Sequence, residues 1–362
     1  MPKRLVSSTI MILLLCGISV FAMQEKVSLL SDYMYSKKDL PRYEGIKKET
    51  DPQKMAGLLI EFLKDRPINR IVPYIIQDYQ TVIVGHLGKK EWDKAISMAE
   101  DMMAALPTDK AVEKAVADGD ITVVERNVQD FQQQVQQARL AMQQVVLTAY
   151  YSSGNWAKAA EIQEQLYAAA PSIQGVQLLA DIYLQMQNFD KYLENAKKIM
   201  AEFPIDKPQG FSTAYQVLQV YLQKNDAPAV TELYRKLMDV YGDKLPEGVD
   251  AAQWNPERAR AYTLLAQEPY TNKDYPKAVE LFEKVVKADP SNGDAYYYIG
   301  MCKWQISVQD SAVEPLAKSV VLNKTTAARA RQYLEQIYKA KNNDSLDGID
   351  EILAKAKADL GI

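Results

Sequence analysis

Few side chains in this sequence could carry acid–base or metal chemistry. The chain has one histidine, His86, and two cysteines, Cys16 and Cys302. A metal site built on histidines needs a second ligand at a fixed distance, and no second histidine exists to provide one. We therefore predict that His86 is structural and that Cys302 packs as a small apolar side chain. No catalytic residue, cofactor or metal is predicted.

Two short stretches have some features of ligand-binding loops. Gly85-His-Leu-Gly-Lys-Lys90 is rich in glycine and lysine, but it lacks the spacer and the Ser/Thr that a phosphate-binding loop needs. Asn343–Asp350 contains the Asp-Gly turn of a calcium loop, but Ala354 stands where the bidentate acid belongs. Both stretches are predicted to be turns at helix ends.

The composition is that of an ordinary soluble chain. Of its 362 residues, 48% are hydrophobic and 25% are charged, and the formal net charge is −4. A surface that binds nucleic acid needs a strong basic excess, so no nucleic-acid partner is predicted.

The first residues have the pattern of a secretory signal. Lys3 and Arg4 precede an apolar run, 5–21, and Val20-Phe21-Ala22 offers small residues at a cleavage site. We expect residues 1–22 to be removed near Ala22 and the protein to be exported, either to the periplasm or out of the cell. A retained membrane anchor is the alternative, and it is the only case in which a membrane would be a partner. A lipid anchor at Cys16 is less favoured, because Leu13-Leu14-Leu15 lacks small residues.

One sequence pattern recurs along the chain. A polar residue is followed by an aromatic residue, a variable residue, a lysine and usually an alanine, and a proline lies 15 residues after each aromatic. Such a recurrence predicts stacked helix pairs. The four copies are Glu91-Trp-Asp-Lys-Ala95, Asn155-Trp-Ala-Lys-Ala159, Asn188-Phe-Asp-Lys-Tyr192 and Asp274-Tyr-Pro-Lys-Ala278.

These copies resemble the tetratricopeptide repeat. The fullest match begins at Ala259, and other partial copies lie within 76–107, 140–240 and 259–326. The resemblance implies an all-α, right-handed solenoid of helix-turn-helix repeats in which each pair buries its apolar face against the next. The residues of the fullest copy that fall on the pattern are Tyr262, Leu265, Ala266, Ala278, Phe282 and Pro290.

Interruptions of the pattern suggest a division into domains. Two irregular stretches, 108–139 and 241–256, lack the repeat residues, and the second is rich in turn formers. Asn255-Pro256 is expected to begin the helix after the second stretch, and Pro269 to end that helix early. The predicted order is a polar segment 23–50, an array 51–240 with an irregular insert 108–139, a linker 241–256, and a second array with capping helices 257–362.

The resemblance also implies a binding surface. In this family the first helix of each pair lines a concave groove that commonly binds extended peptides. The lysines and asparagines by which some members clamp a terminal carboxylate are absent, and amides, hydroxyls and aromatic rings replace them. The predicted groove residues are Gln80, Gln144, Thr148, Tyr151, Gln177, Asp181, Tyr215, Gln219, Tyr297 and Trp304.

We therefore expect a non-enzymatic scaffold that binds a protein or peptide partner. Three alternatives stay open. The glutamines could simply keep exposed helices soluble. The chain could be a small-ligand receptor or an enzyme with a site near the linker, around Trp254, Arg258, Arg260 and Tyr270. It could also be a structural subunit of an oligomer.

Overall fold

The computed structural model describes residues 35–118, 125–306 and 309–362, and all regular elements within them are helical. The predicted signal, 1–22, lies outside the described residues. The chain forms two compact units, one up to Asn195 and one from Ala196 onward, which are described separately. No helix among the described residues is both long enough and apolar enough to cross a membrane.

The first unit begins with a short π-helical turn, Tyr35–Asp39. Its helix α2 starts at the predicted place, because the side chain of Asp51 accepts hydrogen bonds from the first-turn amides and Pro52 follows it. The helices are α1 (Leu40–Ile46), α2 (Pro52–Asp65), α3 (Val72–Gly88), α4 (Trp92–Ala105), α5 (Asp109–Ala117), α6 (Glu125–Ser153), α7 (Trp156–Ala169), α8 (Ile173–Gln185) and α9 (Phe189–Glu202), the last of which crosses the boundary between the units.

The second unit continues the same alternation of helices. The helices are α10 (Pro208–Gln223), α11 (Ala227–Tyr241), α12 (Ala251–Thr271), α13 (Tyr275–Ala288), α14 (Gly293–Gln305), α15 (Gln309–Leu322), α16 (Ala327–Lys341) and α17 (Ile349–Leu360).

Within the described residues, the same turn joins the two helices in five hairpins. One residue adopts a left-handed conformation with φ between 54° and 80°, the next caps the second helix, and the residue after that is its first. The amide of the capping residue donates to a carbonyl five residues earlier, as Asn155 does to Tyr150 at 2.8 Å, which closes the first helix. The left-handed residues are Lys90, Gly154, Gln187, Asn225 and Lys273.

Small residues let the two helices of a hairpin pack closely. Ala95, Ala159 and Ala278, each three residues after the first residue of its helix, are fully buried. In the α14/α15 hairpin the two helices approach closely at Gly300. A Cβ added there would lie 2.6 Å from Cγ of Leu316. The predicted all-α array of helix-turn-helix repeats is therefore confirmed.

The insert 108–139 contains a short helix and part of a long one. The glutamine-rich stretch of the insert is continuous with the repeat helix that follows, as α6. Its buried side is apolar, with Phe131 and Val135 in the core. The guanidinium of Arg139 donates to the carbonyls of Met103 (2.8 Å) and Leu106 (2.7 Å), which satisfies the end of α4.

The expectations for Pro256 and Pro269 were wrong. Helix α12 begins at Ala251, and both prolines lie inside it. The amide of Ala252 donates to the Asp250 side chain at 2.8 Å, and Trp254 in the first turn is buried against Phe211. This capping and packing stabilise a turn that precedes Pro256, so the local proline signal is overridden.

Candidate functional site

The predicted groove of the first unit contains an open row of glutamines. Gln144 on α6 and Gln177 on α8 are half-exposed, and their side-chain amides make no hydrogen bond within the described part of the chain. They lie on the facing sides of their helices, because Tyr151, seven residues after Gln144, donates to Asp181, four residues after Gln177. We call Gln144, Gln177, Thr148, Tyr151 and Asp181 the amide face.

The hydroxyls of the amide face already make hydrogen bonds within the protein. Thr148 is buried and donates to the carbonyl of Gln144 at 2.7 Å. Burial raises the pKa of Tyr151 far above its usual value, and the hydrogen bond to the Asp181 carboxylate raises it further. Tyr151 and Asp181 therefore fix α6 against α8, and the two glutamines are the groups left free for a ligand.

Gln80, on α3, differs from the other glutamines. Its side chain is buried, and its Nε2 has no hydrogen-bond partner among the described residues. Val84, one turn further along α3, is exposed. This part of the predicted groove offers an open apolar side chain beside a buried amide donor.

In the second unit, the two predicted residues of α10 differ in their surroundings. Tyr215 on α10 is half-buried, and its pKa is raised, chiefly by burial and also by the nearby carboxylate of Glu257 on α12. Gln219, one turn later on α10, is exposed. Tyr215 therefore lies near the Glu257 carboxylate of α12, and Gln219 faces solvent.

The predicted residues of α14 belong to an aromatic cluster. The rings of Trp304 and Tyr333 on α16 lie 5.0 Å apart, and that of the buried Tyr297 lies 6.4 Å from Tyr333. Trp304 stays half-exposed. These rings mainly join α14 to α16, with one edge open to solvent.

A cavity of about 750 Å³ opens in the second unit between the α10/α11 hairpin and α12. This cavity was not predicted from the sequence. We call it the socket. It is lined by Leu222, Asn225, Ala227, Val230, Tyr234, Pro256, Ala259, Arg260, Thr263, Leu264, Gln267, Asp289 and Asn292.

The four residues of the alternative site near the linker have different surroundings. Trp254 packs against Phe211 and Tyr241, and its indole donates to the carbonyl of Lys244. Arg258 is buried and bonds Asp243 at 2.5 Å. Tyr270 lies in an aromatic cluster, where burial raises its pKa to about 12, and Arg260 lines the socket. Of the four, Arg260 is the one that lines the socket.

The residues with potential for acid–base chemistry are in structural positions. Nδ1 of His86 contacts the Glu91 carboxylate at 2.5 Å across the α3/α4 turn, and this contact lowers the pKa of Glu91. Cys302 is fully buried, and burial raises the pKa of its thiol to about 12. No cluster of three potential metal ligands occurs within 35–118, 125–306 and 309–362.

Solved structures of two proteins are similar to this chain. One structure of MamA has 17% identity and a TM-score of 0.30, over 51% of this chain and 91% of MamA. A second has 16% identity and a TM-score of 0.29, over 52% and 93%. YrrB, described as a TPR protein with an unusual peptide-binding site, has 13% identity and a TM-score of 0.32, over 52% and 89%. Identities and TM-scores this low transfer no residue role.

No family model matches the sequence, and no curated protein matches it. The chain's own residues are more informative. Five hairpins share one turn, and four of their second helices begin with an aromatic residue, Trp92, Trp156, Phe189 or Tyr275. Three of the four carry a fully buried alanine three residues later. By these features the chain is an all-α array of helix-turn-helix repeats whose pattern resembles the tetratricopeptide repeat.

Proposed function

We propose that this protein is a non-enzymatic scaffold that binds an extended polypeptide on the amide face. The observation that carries the proposal is the pair of free amides, Gln144 and Gln177, on helices that Tyr151 and Asp181 hold together. The resulting surface is rigid and its hydrogen-bonding groups are available. Because the two helices are already held together, a ligand need not order their backbones when it binds, and only the glutamine side chains lose freedom.

Amides suit the backbone of a polypeptide particularly well. Each glutamine side chain offers both a donor and an acceptor, so it can pair with a peptide N–H or C=O in either chain direction. A carboxylate at the same place only accepts. Replacing Gln144 and Gln177 by glutamate should therefore remove the donors and add two charges while nearly keeping the shape.

Site-specific photo-cross-linking tests the proposal. Benzoylphenylalanine at position 144 or 177 in the full chain should give a discrete protein adduct in cells. The matched control carries the same group at Gln165, which is exposed on the second helix α7 of the same unit. Little or no adduct is expected from that position.

The charge variant completes the experiment. With the cross-linker at exposed Gln174, the Gln144→Glu, Gln177→Glu double variant should lose most of the adduct. An adduct that survives both changes, or one that forms equally from position 165, contradicts binding at the amide face.

We also propose that the protein acts outside the cytoplasm, in the cell envelope or after secretion. The support is the sequence of residues 1–22, with its basic start, apolar run and small residues before the cleavage position. Mass spectrometry of the protein purified from its own cells should find an N-terminus close to Met23. A mature chain that begins at Met1 would contradict cleavage, and recovery of that chain from the soluble cytoplasm would contradict export.

A further inference from the structure

One hairpin lacks the aromatic residue that begins the second helix of its neighbours. The α10/α11 hairpin has the shared turn, with Asn225 left-handed and Asp226 as the cap, whose amide donates to Tyr221 at 3.0 Å. The first residue of α11 is then Ala227. In the four other hairpins with this turn, that position is Trp92, Trp156, Phe189 or Tyr275.

In two of those hairpins the aromatic ring packs against a tyrosine near the end of the first helix. Trp156 packs edge-on against Tyr151, with ring centroids 5.1 Å apart, and Tyr275 packs in the same way against Tyr270. Trp92 packs against the core of the first unit. In each of the two ring pairs, the partner lies five residues before the aromatic.

The socket lies where this ring is missing. Ala227 and Leu222, five residues before it, both line the socket, together with Asn225 of the turn. Residues of the next first helix, including Ala259 and Leu264, line it as well. Its volume of about 750 Å³ lies within the range of roughly 300–1,000 Å³ usual for ligand pockets. It can therefore hold an aromatic side chain together with part of the backbone that carries it.

We propose that the socket binds an aromatic side chain presented by a partner polypeptide, in place of the ring that the α10/α11 hairpin lacks. The walls supply the apolar contact, since Leu222, Val230 and Leu264 converge on the cavity.

The polar groups of the socket favour a polypeptide as the source of that ring. The side-chain amides of Asn225 and Gln267 make no hydrogen bond within the described residues, so they can pair with peptide N–H and C=O groups. The carboxylate of Glu257 already accepts from Arg260 at 3.1 Å and from Tyr234 at 3.0 Å. The charge of Arg260 is thus largely balanced, and the socket does not demand an acidic ligand.

The inference rests on the proposed function and adds the chemical group that a partner must present, an aromatic side chain. Saturation-transfer NMR on the full chain tests whether the socket binds such a group. The probes are the peptide acetyl-Ser-Gln-Trp-Gln-Ser-amide and its counterpart with alanine at the centre. The wild-type protein should transfer saturation to the indole protons, and the alanine peptide should show at least tenfold weaker binding.

Filling the socket should remove this binding. Ala227→Trp supplies the missing ring from the chain itself and should weaken binding of the tryptophan peptide at least tenfold. Leu222→Trp, which fills the socket from α10, should do the same. Ala201→Trp is the matched control, because Ala201 is exposed on α9 in the same unit and does not line the socket, and it should bind as the wild type does.

Three results would overturn the inference. The first is that the wild-type protein transfers no saturation to the tryptophan peptide. The second is that both filled variants bind this peptide as well as the wild type does. The third is that free N-acetyl-tryptophanamide binds as tightly as the peptide, which would show a small-molecule site. None of them bears on the amide face, since cross-linking from positions 144 and 177 tests that separately. Conversely, if cross-linking from positions 144 and 177 fails but the tryptophan peptide still binds, the inference about the socket is unaffected.

Discussion

The α6/α7 and α10/α11 hairpins have the same turn but different contents. Gly154 and Asn225 are both left-handed, and Asn155 and Asp226 both cap the second helix through their side chains. Trp156 then begins α7, whereas Ala227 begins α11. Trp156 packs against Tyr151, and Ala227 faces the socket.

The difference shows that turn and ring have separate roles. The turn forms in both hairpins because it depends on backbone hydrogen bonds and capping side chains, which are local. The ring fills space at the hairpin's end, and the hairpin persists without it. An alanine in place of the aromatic residue can therefore leave a cavity without loss of the hairpin. Substitutions at the first residue of the second helix test this most directly.

Removing the ring from the complete hairpin should have the largest effect. Trp156→Ala should lower the free energy of unfolding by about 2 kcal/mol, less than for a fully buried tryptophan because Trp156 is half-exposed. Urea unfolding of the full chain measures this value. The control Lys158→Ala alters an exposed side chain two residues away and should change the free energy by less than about 0.5 kcal/mol. Equal effects of the two variants would show that the ring contributes no packing.

A change in the turn should have a smaller effect. Gly154 has a φ of 80°, and an added Cβ would meet no atom within 4 Å, so Gly154→Ala introduces only backbone strain. We expect a loss of about 1 kcal/mol in urea unfolding. Asn225→Gly, at the equivalent position, should change stability by less than about 0.5 kcal/mol, because asparagine tolerates this conformation. A tolerated Gly154→Ala would show that the turn adapts.

The smallest effect concerns an ion pair that the α10/α11 hairpin lacks. The ammonium of Lys191, third residue of α9, donates to Glu164 at 2.8 Å, whereas Ala229 is the third residue of α11. Hydrogen bonds from Lys191 and Tyr183 lower the pKa of Glu164. The stabilisation is therefore complete above the unfolded pKa, near 4.5, and is lost as pH falls below it.

Because Glu164 is half-exposed, solvent screening limits its contribution to about 0.3 kcal/mol. Urea unfolding of Glu164→Gln between pH 3 and 7 should show a slightly flatter pH dependence than the wild type. Parallel curves would mean that the pair adds nothing measurable. Glu161→Gln is the comparison, since Glu161 pairs only with Lys158 of its own helix.

The sequence predicted the helix pairs well because their signals are local. An aromatic residue and an alanine three residues later, such as Trp156 and Ala159, recur along the chain. A period near 34 residues is compatible with few kinds of fold. The start of α12 was missed because burial of Trp254 outweighs the local signal of Asn255-Pro256. Packing of this kind depends on residues distant in the sequence.

The candidate site was predicted only in outline. Gln144 and Gln177 were among the predicted groove residues, but the bond between Tyr151 and Asp181 depends on the register between two repeats, which sequence spacing does not give. The socket is a property of space between helices. The sequence indicates it only through Ala227, which stands where the other second helices begin with an aromatic residue. Only the shared turn shows that Ala227 corresponds to residues such as Trp156.

Ala227→Trp tests the central claim most directly, because that claim makes two opposite predictions for one variant. If the socket is the place of a missing ring, the new tryptophan should pack there and raise the free energy of unfolding by about 1 kcal/mol. The same variant should lose at least tenfold in binding of the tryptophan peptide. A variant that is less stable than the wild type, or that still binds the peptide equally well, would contradict the account.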